Sequence, residues 1–209
     1  MSAGRSTLWA SPTSPYARKV AVLILEAGIT DVDIVTASGS PLNPGTVPTD
    51  YNPLGKIPIL RTSDGGILFD SRVICRWLDA QSGAGLYPDA PALWRVLTLE
   101  AMADGILDAA LLMVYESRIR PLEYQFAPWV DGQWEKISRS LDAIEAGWQA
   151  DLSAPLNMGQ IALGVALGYL DLRHSGRNWR RERPALAAWE RQFALRPALV
   201  GTLPEGGAR

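Results

Sequence analysis

The sequence has very little of the residues that build disulfides and metal sites. Its 209 residues include one cysteine, Cys75, and one histidine, His174. A single cysteine cannot form an intramolecular disulfide, and one cysteine with one histidine cannot supply the usual ligand set of a zinc site. We therefore expect a reduced, metal-free interior in which Cys75 and His174 are packing residues.

The sequence also lacks an excess of charge of one sign. Twenty Lys and Arg residues stand against 22 Asp and Glu residues, which gives a formal net charge of −2 at pH 7. Proteins that bind nucleic acid or anionic lipid need a basic surface to neutralise phosphate groups. Neither nucleic acid nor a membrane is therefore expected as a partner.

Long apolar runs are missing as well. Residues 1–9 lack the apolar core of a signal peptide. The longest apolar run, 161–170, contains two glycines and has about half the length of a membrane span. We therefore predict a cytoplasmic protein.

The sequence does contain enough apolar surface for folded domains. Hydrophobic residues make up 47% of the chain and charged residues 20%, as in globular rather than disordered proteins. The first part alternates short strand-like runs with helical stripes, in the order βαβ, an irregular stretch, then ββα. The predicted elements are strands at 7–10, 31–36, 57–61 and 67–69 and helices at 15–27 and 71–81.

The rest of the chain has a different pattern. From residue 91 onward apolar residues recur at helical spacing, interrupted by several prolines, and almost no strand pattern remains. Residues 83–90 are rich in Gly and Pro and are the predicted linker. We therefore predict a mixed α/β domain over 1–82 and an all-α domain over 91–209.

Several short motifs occur in order along the chain. They are Ser-Pro-Thr-Ser-Pro-Tyr-Ala-Arg-Lys-Val at 11–20, Asn-Pro-Leu-Gly-Lys-Ile-Pro-Ile-Leu at 52–60, Phe-Asp-Ser at 69–71, Ala-Asp-Gly-Ile-Leu-Asp-Ala at 103–109, Arg-Pro-Ala-Leu at 183–186 and Arg-Pro-Ala at 196–198. Together with the order of the elements, these motifs resemble those of the soluble glutathione transferases over the full length of the chain. Within that family, the resemblance is strongest to the bacterial YibF-type members. The resemblance implies a thioredoxin-like, glutathione-binding N-terminal domain followed by an all-α C-terminal domain.

The resemblance also implies a function. It predicts a homodimeric detoxification enzyme that takes glutathione as co-substrate, needs no metal, and activates the glutathione thiol for attack on a small hydrophobic electrophile or a peroxide. The alternative is a glutathione- or hydrophobic-ligand-binding protein with little turnover, because a fold does not guarantee chemistry. A nucleotide-binding function is disfavoured, because no Gly-rich phosphate-binding run follows the first strand.

Ser14 is the candidate catalytic residue. From the residues alone, a serine before Pro15 is typical of a helix N-cap. The start of a helix also offers partial positive charge and free N–H groups that stabilise a thiolate, so both roles can hold together. Ser11, which closes the first strand, is the runner-up. The Ser-Pro-Tyr frame resembles that of serine-type members and favours Ser14, and a serine where omega-like members have cysteine argues against a mixed-disulfide reductase mechanism.

The segment before the hairpin carries three further candidates. Proline removes a ladder hydrogen bond inside a strand, and the base rate for X-Pro bonds favours a trans peptide at Pro58. The resemblance instead implies a cis Pro58, which presents the backbone of Ile57 to the cysteinyl part of glutathione. Lys56 is either a solvated turn residue or, as the resemblance implies, the partner of the glycyl carboxylate.

Asp70 and Ser71 stand at the start of the second predicted helix. The residues alone indicate a cap. The resemblance implies that Ser71 and the helix N-terminus bind the γ-glutamyl carboxylate, while Asp70 helps to hold the α-amino group.

Asp104 lies beside Gly105 and four residues before Asp108, although like charges at that spacing repel each other in a helix. It is either a surface carboxylate or, as the resemblance implies, a residue that reaches across a dimer interface to the glutathione amino group bound by the partner subunit.

Two helical patterns complete the set of candidates. Leu107, Leu111 and Tyr115 recur at four-residue steps, which indicates one helix face, either part of the core or a wall of the hydrophobic second-substrate site. Asn157 and Gln160 have capping-box spacing before a buried helix.

Overall fold

The computed structural model describes residues 4–204, and packing divides them into two compact units. The first unit contains residues 4–87 and 197–204, and the second contains residues 88–196. The domain bounds predicted from the sequence stay a prediction. The packing differs from them in one respect, because residues 197–204 pack with the first unit and not with the second.

The regular elements match the predicted change of pattern along the chain. Within the described residues, strands occur only before residue 70, and every regular element after that point is a helix. In chain order the elements are β1 (Ser6–Ala10), α1 (Pro15–Glu26), β2 (Val32–Thr36), β3 (Ile59–Arg61), β4 (Ile67–Leu68), α2 (Ser71–Ser82), α3 (Ala92–Arg118), α4 (Ala127–Gly147), α5 (Gln149–Leu152), α6 (Met158–His174), α7 (Pro184–Phe193) and α8 (Pro197–Gly201), with 3-10 turns at Leu122–Tyr124 and Ser175–Arg177.

The first unit is built on a four-stranded sheet in the order β2-β1-β3-β4. β1 and β2 are parallel, as the intervening α1 requires, whereas β3 runs antiparallel to both β1 and β4. This βαβ–ββα arrangement followed by an all-helical unit confirms the predicted fold class.

The β3–β4 hairpin forms where the sequence predicts it. Gly65 has a φ of +93°, a conformation that favours glycine, and the Thr62 N–H donates to the Gly66 carbonyl oxygen over 2.8 Å. The predicted strand 57–61 was too long, because β3 begins at Ile59. Pro58 has no N–H to donate to a strand partner, so the ladder cannot continue through it.

An arginine of α1 forms hydrogen bonds to the last helix and to the residue that follows it. The Arg18 guanidinium of α1 donates to the Leu199 carbonyl oxygen over 3.0 Å and to Thr202 Oγ1 over 3.3 Å. Burial of this guanidinium lowers the pKa of Arg18. These bonds explain why α8 belongs to the first unit.

The second unit is organised around α3 and α6, which pack along their lengths. The interior of α6 is apolar on nearly every side, so neighbouring helices cover it. Gly159 allows the closest approach, because a Cβ there would lie 2.9 Å from the Val96 carbonyl oxygen and 3.0 Å from Leu99 Cβ.

One of the two hydrogen bonds of the predicted capping box of α6 is present, the one that the Asn157 side chain accepts. Asn157 Oδ1 accepts from the Gln160 N–H over 3.2 Å, as in a capping box. The Gln160 side chain binds the preceding loop, where its Nε2 donates to the carbonyl oxygens of Asp151 over 2.8 Å and Ala154 over 3.0 Å. Gln160 therefore fixes the loop before α6.

The single cysteine is buried, and the single histidine is partly buried and bonded to the backbone. Cys75 is completely buried in α2, which confirms its prediction as a packing residue. His174, at the end of α6, is partly buried, and its Nε2–H donates to the Ala110 carbonyl oxygen over 2.9 Å. Burial, and then the charges of Arg177 and Arg173, lower the pKa of His174.

Candidate active site

Ser14 ends the loop between β1 and α1 and forms the N-cap of that helix. Its backbone is extended, with φ −82° and ψ +117°, and its Oγ accepts from the Ala17 N–H over 3.3 Å. Pro15 follows at the first helical position, where its fixed φ suits the helix. The predicted cap is therefore present, and the partly buried hydroxyl stands at the positive end of α1.

Ser11 has a different environment. Its hydroxyl oxygen lies 3.2 Å from the Thr13 hydroxyl oxygen, and its carbonyl oxygen accepts from the Ser14 N–H over 3.0 Å. Ser11 thus shapes the loop, whereas Ser14 occupies the helix N-terminus.

A buried asparagine, which the sequence analysis missed as a site-shaping residue, forms the turn before Pro58. Asn52 is 2% exposed. Its Nδ2 donates to the Lys56 carbonyl oxygen over 2.8 Å, and its Oδ1 accepts from the Leu54 N–H over 3.1 Å. An asparagine before Pro-Leu-Gly is a usual signal for such a side-chain-stabilised turn.

The turn leads into the Ile57–Pro58 peptide, which is cis, as the resemblance implies. The Ile57 side chain packs against a small core cluster that includes Ala37, Val47 and Ile59. The Lys56 side chain is exposed and so can face a ligand or solvent.

The N-terminus of α2 is capped by Asp70. Its Oδ1 accepts from the Arg72 N–H over 2.9 Å, which confirms the predicted cap. The carboxylate remains exposed, whereas Ser71 is 2% exposed. The start of this helix therefore combines a buried hydroxyl with an accessible negative group.

Strand register brings these segments to one edge of the sheet. Trp9 of β1 pairs with Ile59 of β3, and the two strands are antiparallel, so the end of β1 lies beside the start of β3. Leu60 pairs with Leu68 of β4, which brings the end of β4 to that same edge. Three segments therefore lie at the same edge of the sheet: the loop containing Ser14, the Ile57–Pro58 peptide and the start of α2. This arrangement suits an extended, peptide-like ligand with charged ends.

The second unit holds the other predicted site residues. Asp104 is 1% exposed in α3, so the alternative of a surface carboxylate was wrong, because helix packing buries that face. Reaching a partner subunit would require the Asp104 side chain to turn out of the interior. Leu107 is completely buried, as in the core interpretation of the spacing. Leu111 and Tyr115 remain partly exposed, and burial raises the pKa of Tyr115.

Residues 4–204 contain neither a candidate metal site nor a helix that could span a membrane. In residues 4–204, no group of three or more His, Cys, Asp or Glu side chains is arranged to hold a metal ion. Within the same range, no helix combines the length and apolar character needed to cross a membrane.

Comparisons with known proteins agree with the fold. Family models match the chain for the glutathione S-transferase N-terminal domain over residues 13–81 and the C-terminal domain over residues 127–192. The uncharacterized GST-like protein YibF of Escherichia coli K12 is 37% identical over 199 residues, which are 93% of this chain and 96% of that protein.

Solved structures are also similar. A glutathione transferase family member from Pseudomonas fluorescens Pf-5, with bound glutathione, is 44% identical with a TM-score of 0.92, over 95% of this chain and 98% of that one. A second structure from Pf-5, with bound S-(propanoic acid)-glutathione, is 44% identical with a TM-score of 0.89, over 95% and 99% of the two chains. The chain belongs to the glutathione S-transferase family.

Proposed function

We propose that the protein is a glutathione transferase that binds glutathione in its first unit and activates the thiol through Ser14. The observation that carries this proposal is the position of the Ser14 hydroxyl at the N-terminus of α1, on the sheet edge that also holds Ile57–Pro58 and the start of α2. Relatives support it, since the Pf-5 protein binds glutathione in its structure.

Each part of glutathione has a proposed partner at this edge. The Ile57 backbone N–H and C=O bind the cysteinyl part, and Lys56 binds the glycyl carboxylate. Ser71 and the N-terminus of α2 bind the γ-glutamyl carboxylate. Asp70 uses one carboxylate oxygen for the cap and has a second oxygen for the α-amino group.

The hydroxyl of Ser14 can cap the helix and activate the thiol at once. Its oxygen accepts from the Ala17 N–H, which leaves its own O–H as a donor to the glutathione sulfur. Lowering a thiol pKa from about 8.5 by about two units needs roughly 2.7 kcal/mol. A hydrogen bond to a charged group contributes about 1.5–3 kcal/mol and the helix end about 0.3–1 kcal/mol, so these two effects suffice.

In the proposed conjugation, the thiol proton passes to solvent and the thiolate sulfur attacks an electrophilic carbon. A C–S bond forms while a leaving group departs with its electron pair or, at an activated double bond, the π bond breaks and the neighbouring carbon takes a proton from water. With a peroxide, attack on oxygen releases an alcohol, and a second glutathione converts the sulfenic acid to the disulfide and water. The adduct in the second Pf-5 structure supports conjugation at an aliphatic carbon.

The proposed assembly is a homodimer, and the proposed compartment is the cytoplasm, where glutathione is kept as a reduced thiol. In that dimer Asp104 is a candidate for the glutathione amino group bound by the partner subunit. Its side chain has to leave the interior for this role, because it is 1% exposed in the single chain.

Calorimetry with glutathione tests the proposal. Ser71→Ala should weaken binding by about 1–3 kcal/mol, because its hydroxyl meets a charged carboxylate. Ser82→Ala is a matched control at the opposite end of α2, where the Ser82 hydroxyl donates to the Leu78 carbonyl oxygen over 2.8 Å. This control should leave glutathione affinity unchanged. No heat and no thermal protection at millimolar glutathione would overturn the proposed function.

A further inference from the structure

Asn52, in the loop between β2 and β3, is held by four hydrogen bonds. Its backbone N–H donates to the Pro48 carbonyl oxygen over 3.1 Å, and its carbonyl oxygen accepts from the Gly55 N–H over 2.9 Å. The side chain adds a bond from Nδ2 to the Lys56 carbonyl oxygen over 2.8 Å and one from the Leu54 N–H to Oδ1 over 3.1 Å. Because Asn52 is 2% exposed, water competes little for these bonds. The Asn52 amide is therefore a fixed point of the loop.

A second Asn-Pro turn in the same loop makes only one of the two side-chain bonds. Asn43 also precedes a proline, and its Oδ1 accepts from the Gly45 N–H over 2.8 Å, at the same two-residue spacing as in the turn at Asn52. In the described part of the chain, the Asn43 amide nitrogen donates no hydrogen bond. An oxygen acceptor is thus enough for such a turn. The amide nitrogen of Asn52 has a separate task, which is to hold the Lys56 carbonyl oxygen.

Holding this carbonyl oxygen also sets the direction of the next N–H. The peptide bond between Lys56 and Ile57 is trans, and in a planar trans peptide the C=O and the N–H point in opposite directions. The Lys56 carbonyl points to the buried Asn52 amide, so the Ile57 N–H points away from it. The Ile57 side chain packs against a core cluster that includes Val47 and Ile59. The orientation of this peptide is therefore fixed at both ends.

The backbone of Ile57 is available to a ligand. Among residues 4–204, neither its N–H nor its C=O has a hydrogen-bond partner. Ile57 is partly exposed and lies just before β3, whose ladder with β1 begins at Ile59. An extended peptide can pair with such free groups as an added strand does. The cysteinyl part of glutathione offers a carbonyl oxygen to accept from the Ile57 N–H.

We propose that Asn52 is a positioning residue for glutathione, because its Nδ2 holds the Lys56 carbonyl oxygen and so directs the Ile57 N–H to the cysteinyl carbonyl oxygen. The inference rests on the proposed function, in which the Ile57 backbone binds the cysteinyl part. Without the Asn52 side chain, the peptide between Lys56 and Ile57 loses its anchor and has to be ordered when the ligand binds, which costs affinity.

Calorimetry with two ligands isolates this one bond. The first ligand is glutathione, and the second is an analogue in which a trans alkene replaces the amide between cysteine and glycine. The analogue lacks the cysteinyl carbonyl oxygen but keeps both charged ends and the thiol. The unaltered protein should bind glutathione about two- to tenfold more tightly than the alkene, as expected for one neutral hydrogen bond. Asn52→Ala should remove most of this preference by weakening glutathione binding, while the affinity for the alkene stays unchanged.

Two further variants identify the atom that acts. Asn52→Ser keeps an oxygen that can accept from the Leu54 N–H, but the shorter side chain cannot reach the Lys56 carbonyl oxygen. It should therefore lose the preference as Asn52→Ala does, and it carries the test should Asn52→Ala fail to fold. Asn43→Ala removes the matched turn and should keep the full preference for glutathione.

The outcomes separate this inference from the proposed function. Equal affinity of the unaltered protein for glutathione and the alkene overturns the inference while glutathione binding stands. An equal loss for both ligands in Asn52→Ala assigns Asn52 a purely structural role and also overturns it, as does a full preference in Asn52→Ser. If the unaltered protein binds neither ligand, the proposed function itself fails.

Discussion

Under the proposed function, removing the Ser14 hydroxyl should affect two separate quantities, the stability of α1 and the thiol pKa of bound glutathione. The stability effect follows from the cap, in which Ser14 Oγ accepts from the Ala17 N–H over 3.3 Å. Replacing a serine cap by alanine costs about 0.5–2 kcal/mol, and the length of this bond favours the lower half of that range. For a chain of 209 residues this corresponds to a melting temperature lower by about 2–4 °C per kcal/mol.

The chemical effect is larger near neutral pH. Ser14→Ala should raise the thiol pKa of bound glutathione by about one to two units, roughly 1.4–2.7 kcal/mol, because the sulfur loses its charge-assisted donor. Turnover should fall about ten- to a hundredfold with little change in glutathione affinity, because the lost bond is made mainly to the reacting sulfur. Thiolate absorbance in the ultraviolet, followed against pH with bound glutathione, measures the pKa directly.

Ser14→Gly separates the two effects. Glycine at an N-cap costs only a few tenths of a kcal/mol relative to serine, yet it has no hydroxyl. We therefore expect Ser14→Gly to melt close to the unaltered protein and to lose as much activity as Ser14→Ala.

Ser11→Ala is the matched control and should keep both the thiol pKa and the turnover. The reasoning is refuted if Ser11→Ala raises the pKa while both Ser14 variants leave it unchanged. If no serine variant changes the pKa and turnover persists, backbone N–H groups at the helix end activate the thiol instead. An unshifted pKa in the unaltered protein, with no electrophile or peroxide converted, would favour the binding-protein alternative.

The remaining predictions concern assembly and stability. Light scattering at micromolar protein should give about twice 22.7 kDa, and a monomer with full glutathione affinity would contradict the dimer. Gly159→Ala should lower the unfolding free energy by about 1–3 kcal/mol, because its Cβ meets the Val96 carbonyl oxygen. Gly105→Ala, in an open helical position, should instead raise it by about 0.5–1 kcal/mol, as denaturant titration can measure. His174 has a lowered pKa in the folded state, so its contribution to stability is present above about pH 6.5 and is lost as the pH falls. The dependence of the unfolding midpoint on pH should be shallower in His174→Gln.

The bounds of α1 and α2 could be predicted from the sequence because short-range interactions determine them. Ser14 before Pro15 and Asp70 before Ser71 are local cap signals, and the structure has both caps. Gly83 ends α2 with a φ of +67°, a conformation that glycine adopts readily. The start of β3 was placed two residues too early, because the apolar pattern continues through Pro58 although the ladder cannot.

The burial and the hydrogen-bond partners of individual side chains were harder to predict, because they depend on tertiary packing. Asp104 has the composition of a surface residue, and only the packing around α3 determines its 1% exposure. The same limit applies to Asn52, whose two turn-forming bonds involve its side chain and backbone groups up to four residues away.

The single histidine has a consequence for how a serine-type site must work. Histidine is the most frequent general base near neutral pH, but His174 lies in the second unit with its Nε2–H bonded to the Ala110 carbonyl oxygen. In the proposed mechanism, activation of the thiol therefore comes from a lowered pKa and not from a histidine base, and the proton is released to solvent before the reaction. Under this mechanism, at saturating glutathione, kcat/KM for the electrophile should rise with pH as the bound thiolate forms and then reach a plateau, with the midpoint at the pKa measured by absorbance. In Ser14→Ala the same curve should move to higher pH and regain most of the lost rate at its plateau, whereas a variant that had lost a general base would stay slow at every pH.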